Sequence, residues 1–314
     1  PEMSRVCSRT RHFRDVASDR TAPTAFVTRF APSPTGLLHL GHAYSAFVAW
    51  DAAKAAGGTC LLRIEDTDKS RVRPEYESAI HDDLSWLGLS WPQPVMRQSE
   101  RHAAYTHALN HLGSLGVTYP CRCTRADIRA ALTAPQEDTR PVPGTPSVYP
   151  GTCRLRPMSD AGPGDAIRLD LGRALELVQD ENLTWLETGP LHEGRHVLDT
   201  ESMLRTLGDV VLARKDIETA AYHLAVVVDD AAQGVTHVIR GEDLMEVTPL
   251  HRLLHALINL PVPVWHHHAL VRDENGKRLA KRDDALSIRT YREAGLTPRE
   301  IRELCRTQTI RARG

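Results

Sequence analysis

From Ala25 to Phe30 the chain is short, apolar and rich in β-formers, which predicts a strand. The prolines of Ala31-Pro32-Ser33-Pro34-Thr35-Gly36 then impose a stiff loop. His39 to about Ala56 follows an alanine-rich helical pattern that Gly57-Gly58 ends. A second strand, Thr59 to Ile64, stops at Glu65-Asp66-Thr67-Asp68, and helices are expected over 74–87 and 102–115. This alternation predicts an α/β fold built on a parallel, doubly wound sheet. Past Tyr119 the pattern breaks, and residues 133–165 are loaded with Pro, Gly, Thr and Ser. It resumes at Ala221 to Asp229, a nearly all-apolar run suited to a strand buried on both faces. Val235 to Arg240 reads as a strand, Leu250 to Ile258 as a helix and His268 to Arg272 as a short strand. His266-His267-His268 reads as strand-side imidazoles packed by Trp265, with metal binding as the alternative. The expected organisation is a disordered extension over 1–24, the first half of the sheet domain over 25–116, an insert over 117–218, the second half over 219–282, and a short helical segment over 283–314.

Composition narrows the classes. The chain has 314 residues, 41% hydrophobic and 25% charged, and no apolar run approaches a membrane span. A transmembrane protein, a collagen and a wholly disordered chain are excluded. Basic and acidic residues balance at 39 and 40, so any RNA contact must come from a local patch rather than a basic excess. Aromatic content of 5% argues against a broad base-stacking platform. Residues 1–24 lack an apolar signal-peptide core. Six cysteines in a chain of this length do not read as a disulfide framework; three cluster, which suggests a metal site in a reducing compartment and a cytoplasmic protein. A monomer is the working expectation.

Three constellations carry chemistry. His39-Leu40-Gly41-His42 falls at a predicted helix start, where free N–H groups and the positive dipole end favour phosphate. The two imidazoles, three apart, share one face, and Gly41 lets a flat ligand press on the backbone. Gly276 to Arg282, with Lys277, Arg278 and Lys281, reads as a cationic loop able to close over a triphosphate. Cys121 and Cys123, then Cys153 beyond an insert, offer three thiolates where tetrahedral zinc takes four ligands. Tyr149 is spaced to be the fourth; a water, Asp127 or a distant histidine are alternatives, as are three ordinary cysteines.

The first two constellations together resemble the paired signatures of class I aminoacyl-tRNA synthetases. The text around them resembles the glutamyl-tRNA synthetase family over residues 25–285: Arg29 to Gly36, Arg63 to Asp68, Val228-Asp229-Asp230 and Arg240 to Leu244. The late motif departs from the family's Lys-Leu-Ser-Lys, reading Arg278-Leu279-Ala280-Lys281, which lacks the serine hydroxyl. The run Cys-x-Cys…Tyr-x-Gly-x-Cys resembles the zinc site of glutamyl-queuosine tRNA(Asp) synthetases, shortened paralogues of that family. Val226, where longer relatives carry an asparagine, points the same way, as do the mere 32 residues after the late motif, too few for an anticodon-binding domain.

The resemblance implies a Rossmann-like sheet with an inserted zinc-containing domain, and ATP-dependent activation of L-glutamate. Arg29 and Arg240, assisted by the Tyr222 hydroxyl, would hold the substrate side-chain carboxylate, Glu65 its ammonium, and Phe30, Ala31, Pro32 and Ser33 would complete the amino-acid site. His39, Gly41, His42 and Lys281 would bind ATP, with His39, His42 and Lys281 catalytic. Mg²⁺ would accompany ATP, and one structural zinc would sit on Cys121, Cys123, Tyr149 and Cys153. The glutamyl group would pass to queuosine at the wobble position of tRNA(Asp). The alternatives are a truncated glutamyl-tRNA synthetase charging the 3′ end of tRNA(Glu) and a non-catalytic RNA-binding paralogue.

Overall fold

A computed structural model describes residues 25–133, 148–215, 220–272 and 286–311. The expected extension over 1–24 and the whole of the Gly276–Arg282 motif, Lys281 included, lie outside the described residues. The chain runs β1 (Val27–Phe30), α1 (Leu40–Ala55), β2 (Thr59–Ile64), α2 (Pro74–Trp86), β3 (Met96–Arg97), α3 (His102–Ser114), β4 (Thr118–Cys121) and α4 (Arg125–Thr133). It continues through β5 (Ala166–Leu169), α5 (Leu171–Leu177), β6 (Thr184–Glu187), β7 (Gly194–Val197), α6 (Thr200–Thr206) and β8 (Val211–Ala213). It then forms α7 (Tyr222–Ala232), β9 (His237–Gly241), α8 (Thr248–Leu257), β10 (Val264–His268), α9 (Ile288–Glu293) and α10 (Pro298–Arg311).

β1, β2 and β3 form one parallel ladder, and β9 runs parallel to β10. Thr236 joins the two: its N–H donates to the Val27 carbonyl at 2.9 Å, and its own carbonyl accepts from Val264 N–H at 2.9 Å. β6 adds in parallel to β10 and carries β7 as an antiparallel edge, so part of the 117–218 stretch belongs to this layer. β4, β5 and β8 form a separate antiparallel sheet.

The two-residue period of the strands decides what covers each face. Phe30, Leu62 and Ile64 point into a core shared with Ala43, Ala46 and Phe47 of α1, and with Ile288, Ile301 and Cys305 of the C-terminal helices. Arg29 and Arg63, on the opposite face, reach Asp230 of α7. Helices on both faces are what the doubly wound reading predicts. Each fully buried Leu or Phe here contributes about 1.5–3 kcal/mol. α1 ends at Gly57, whose φ of 63° suits glycine, and Gly58 permits β1 to approach, since a Cβ there would lie 2.1 Å from the Phe26 carbonyl oxygen.

Two expected strands are corrected. Residues 221–229 are the start of α7, not a strand. A run buried on every side has no readable period, and Leu224, Ala225, Val226 and Val227 are all in the core with α3 and α8. The helix turns the neighbours Asp229 and Asp230 toward different partners: Tyr105, Gln98 and Arg101 for the first, Arg29 and Arg63 for the second. The last parallel strand is Val264–His268, ahead of the expected 268–272; it begins directly after Pro261-Val262-Pro263, and its histidines hide its β character.

Candidate active site

The C-terminal ends of β1, β2, β9 and β10 open onto one cavity of about 460 Å³. That edge is where open α/β sheets bind ligands. Its lining includes Arg29, Phe30, Ala31, Pro32 and Ser33 from the end of β1 and its loop, His39, Gly41 and His42 from the start of α1, Glu65 after β2, Tyr222 at the start of α7, and Arg240 in β9. Every expected amino-acid and nucleotide residue within the described part of the chain therefore meets in one place. Asp243, within the Arg240–Leu244 stretch, also lines it, as do Ser45 and His268, which no local sequence signal marks as site residues. A bond between His268 Nε2 and Ser45 Oγ, 3.0 Å, was legible only once β10 was placed beside α1.

His39 is the N-cap of α1. Its Nδ1 accepts the Gly41 N–H at 3.1 Å, and His42 Nδ1 accepts the His39 N–H at 3.2 Å. A backbone N–H can only donate, so both Nδ1 atoms are unprotonated and each neutral ring carries its proton on Nε2. The ring centroids are 3.9 Å apart. Gly41 is required by this packing: a Cβ there would lie 2.9 Å from His39 Cε1.

The cation side is less simple than two free forks. Arg29 grips Asp230, Nε to Oδ1 at 2.8 Å and a terminal nitrogen to Oδ2 at 3.2 Å, and donates to the Ile239 carbonyl. Arg63 shares Asp230 at 2.6 Å and reaches Glu65 at 3.1 Å. Burial pushes Asp230 up, but Arg29 and Arg63 outweigh it and hold the carboxyl at about 2. Burial pushes Glu65 above the usual carboxylate range in spite of Arg63 and Arg29. Arg240 forms no ion pair among the described residues; it donates to His267, His251, Thr248 and the Leu244 carbonyl. Arg29 and Arg63 thus have direct carboxylate partners, and Arg240 has none among the described residues.

A model of tRNA synthetases class I (E and Q), catalytic domain, matches residues 25–145 and 193–313. The Glutamyl-Q tRNA(Asp) synthetase of Rhodobacter capsulatus is 52% identical over 88% of this chain and 99% of its own length. The chain belongs to the glutamyl-Q tRNA(Asp) synthetases of class I. The synthetase of that name from Nocardia farcinica is 42% identical over 90% of this chain and 85% of its own. Among solved structures, the glutamate-tRNA synthetase of Elizabethkingia anophelis superposes with a TM-score of 0.64 at 28% identity, over 82% of this chain. The chain spans about half of that protein, 53% of its length. Class I membership makes this chain a ligase of the aminoacyl-tRNA synthetase type, with a Rossmann-like fold.

Two further expectations can be located in this glutamyl-Q tRNA(Asp) synthetase fold. Val226 lies in the core around α7 rather than on the cavity lining. Cys121, Cys123 and Cys153 have their sulfurs within 4.8 Å of one another, away from the cavity lining. The Tyr149 hydroxyl sits 3.4 Å from the sulfurs of Cys121 and Cys123 and accepts the Cys153 N–H at 3.0 Å. Asp127, the alternative fourth ligand, instead accepts from the Thr124 backbone N–H and hydroxyl. Burial raises the Cys153 thiol, but hydrogen bonds from Tyr149, the backbone and the other cysteines bring it down to about 7. No helix among the described residues is long and apolar enough to cross a membrane.

Proposed function

We propose that this chain activates L-glutamate with ATP and transfers the glutamyl group to queuosine at the wobble position of tRNA(Asp). The observation that carries the reading is one cavity at the strand ends that holds a buried guanidinium without a counter-carboxylate, Arg240, near a carboxylate, Glu65, and beside a paired-histidine helix start. Glutamate at neutral pH has two carboxylates and one ammonium, and Arg240 offers its side-chain carboxylate a guanidinium that bonds no carboxylate directly among the described residues. Arg240, with the Tyr222 hydroxyl, would take the side-chain carboxylate, and Glu65 the ammonium. Arg29, already paired with Asp230, would contribute by its remaining N–H groups and by holding the end of β1 in place.

In the first step the α-carboxylate attacks the α-phosphorus of ATP, the bond to the bridging oxygen breaks, and pyrophosphate leaves. A carboxylate is already an anion, so no general base is needed and catalysis reduces to alignment and charge stabilisation. The Nε2–H groups of His39 and His42 would donate to phosphate oxygens. Lys281, with Mg²⁺ carried by the nucleotide, would offset the growing charge. In the second step a queuosine hydroxyl attacks the mixed anhydride, an ester forms, and AMP departs.

One zinc would be held by Cys121, Cys123, Cys153 and Tyr149, bracing the turn around Cys153 against β4. Supporting this, three donor pairs (Cys121–Tyr149, Cys123–Tyr149 and Cys123–Cys153) are 3.4–3.5 Å apart, close to the roughly 3.5–3.8 Å between ligands about 2.0–2.3 Å from a tetrahedral centre, and all three sulfurs lie within 4.8 Å of one another. Four donors complete the shell, so the metal's contribution is structural. The cytoplasm, where thiols stay reduced and tRNA is available, is the fitting compartment.

The test is transfer of labelled glutamate onto purified tRNA(Asp) with and without queuosine. Labelling of only the modified tRNA is expected. Equal labelling of both, or labelling of tRNA(Glu) at its 3′ end, would replace this reading by that of a truncated glutamyl-tRNA synthetase.

A further inference from the structure

Arg240 is held by a buried chain of side chains that extends well behind the cavity. Glu187, at the end of β6, accepts three N–H bonds: Oε1 from Gly189 at 2.6 Å and from the His267 backbone at 2.9 Å, and Oε2 from His267 Nδ1 at 2.6 Å. Glu187 and the His267 side chain are fully buried. His267 Nε2 then accepts from Arg240 Nε at 2.9 Å. On the other arm, Arg240 donates to His251 Nδ1 at 3.0 Å, and His251 Nε2 lies 3.1 Å from His223 Nδ1.

A guanidinium has five donors and no acceptor, so every partner must present a lone pair. That condition fixes the chain's polarity throughout. His267 carries its proton on Nδ1, facing Glu187, and its lone pair on Nε2. His251 carries its lone pair on Nδ1 and its proton on Nε2, which it gives to His223. The charge states agree with this polarity. Burial pushes Glu187 up, but the bonds from His267 and Gly189 hold it at about 2. Burial, then Arg240, drive His251 well below 6.5 and His223 to about 4.

We propose that Glu187, His267 and His251 are positioning residues for the substrate's carboxylate: they aim Arg240 through neutral imidazoles instead of a carboxylate bonded to it directly, so its N–H groups facing the cavity are left for the substrate's carboxylate. Arg29 shows the contrast, because Asp230 already meets its charge across two bonds. Had an aspartate stood at 267 or 251, Arg240 would be oriented equally well but neutralised. The inference rests on the proposed role of Arg240 in glutamate binding.

Glu187→Gln tests it with an isosteric change. The amide must turn its NH₂ either to two backbone N–H groups or to His267 Nδ1. The second choice moves the ring proton to Nε2, where it opposes the Arg240 Nε–H. The KM for glutamate in ATP–pyrophosphate exchange is expected to rise about tenfold or more, with the KM for ATP within about twofold. His251→Leu should act likewise, and His251→Asn, whose carbonyl replaces the Nδ1 lone pair, should recover most of the loss. Unchanged glutamate KM in both Glu187→Gln and His251→Leu, or an equal rise for ATP, overturns the proposal. Should these variants fail to fold, ¹⁵N NMR of the wild type decides: a protonated Nδ1 and bare Nε2 at His267 support it, and the reverse contradicts it. Arg240→Ala separates the two levels. If it leaves glutamate KM unchanged, the role of Arg240 itself fails; if it alone raises that KM, only the positioning chain fails.

Discussion

Arg29 and Asp230 come from elements about 200 residues apart, yet their side chains meet in a two-point bond, 2.8 and 3.2 Å long, that ties β1 to α7 beneath the cavity floor. Arg63 closes on the same carboxylate at 2.6 Å. Asp230→Asn would leave two buried guanidiniums without their shared anion and is expected to cost about 3–5 kcal/mol in denaturant unfolding.

The same pair sets an acid response. Asp230 titrates at about 2 in the folded chain against an ordinary 3.8, so it contributes stability that is complete above about pH 4 and lost as pH falls toward 2. Its share is on the order of 2 kcal/mol. Unfolding free energies of wild type and Asp230→Asn should therefore converge as pH drops through this window; a constant gap between them would contradict the assignment.

At the helix start, Gly41→Ala would push a methyl group against the His39 ring, which a Cβ would approach to 2.9 Å. Displacing that ring moves its Nε2–H from the phosphate. Glutamate-dependent ATP–pyrophosphate exchange should fall by about 100-fold, with the melting temperature little changed.

Lys281→Ala is expected to abolish pyrophosphate exchange while leaving circular dichroism and thermal unfolding as in the wild type. In the proposed mechanism the motif's Ala280 supplies no hydroxyl, so the phosphates would lean on Lys281 and backbone N–H groups. Unaltered exchange would remove Lys281 from the mechanism.

For the thiol cluster, metal analysis should find about one zinc per chain, and none in a Cys121→Ser, Cys123→Ser double variant. Chelation should lower the melting temperature and leave pyrophosphate exchange intact below it, because the cluster stands apart from the cavity.

Much of the cavity could be read from the chain because each lining segment is local: a strand end followed by a Pro/Gly loop, a helix start, an acidic strand end. Arg29, His39, His42, Glu65 and Arg240 each carried such a signal. The supports behind them did not. Glu187, His251 and His267 reach Arg240 through contacts 11 to 80 residues apart in sequence, and a histidine's tautomer is set by its neighbours rather than its own position. Residues 221–229 look like a strand in sequence yet form a helix, because burial on all sides erases the period that separates the two. Asp229 and Asp230 held the missing clue: adjacent carboxylates that both need buried partners fit a helix, where successive side chains diverge by about 100°, covered by packing on several sides.

In the proposed mechanism one cavity joins glutamate to the innermost phosphate of ATP and selects its side chain by charge. Pyrophosphate exchange without tRNA, with L-glutamate and L-glutamine compared as substrates, tests it most directly. Exchange with glutamate and at least about 100-fold less with its neutral isostere is predicted. No exchange with glutamate, or equal exchange with both, would contradict it.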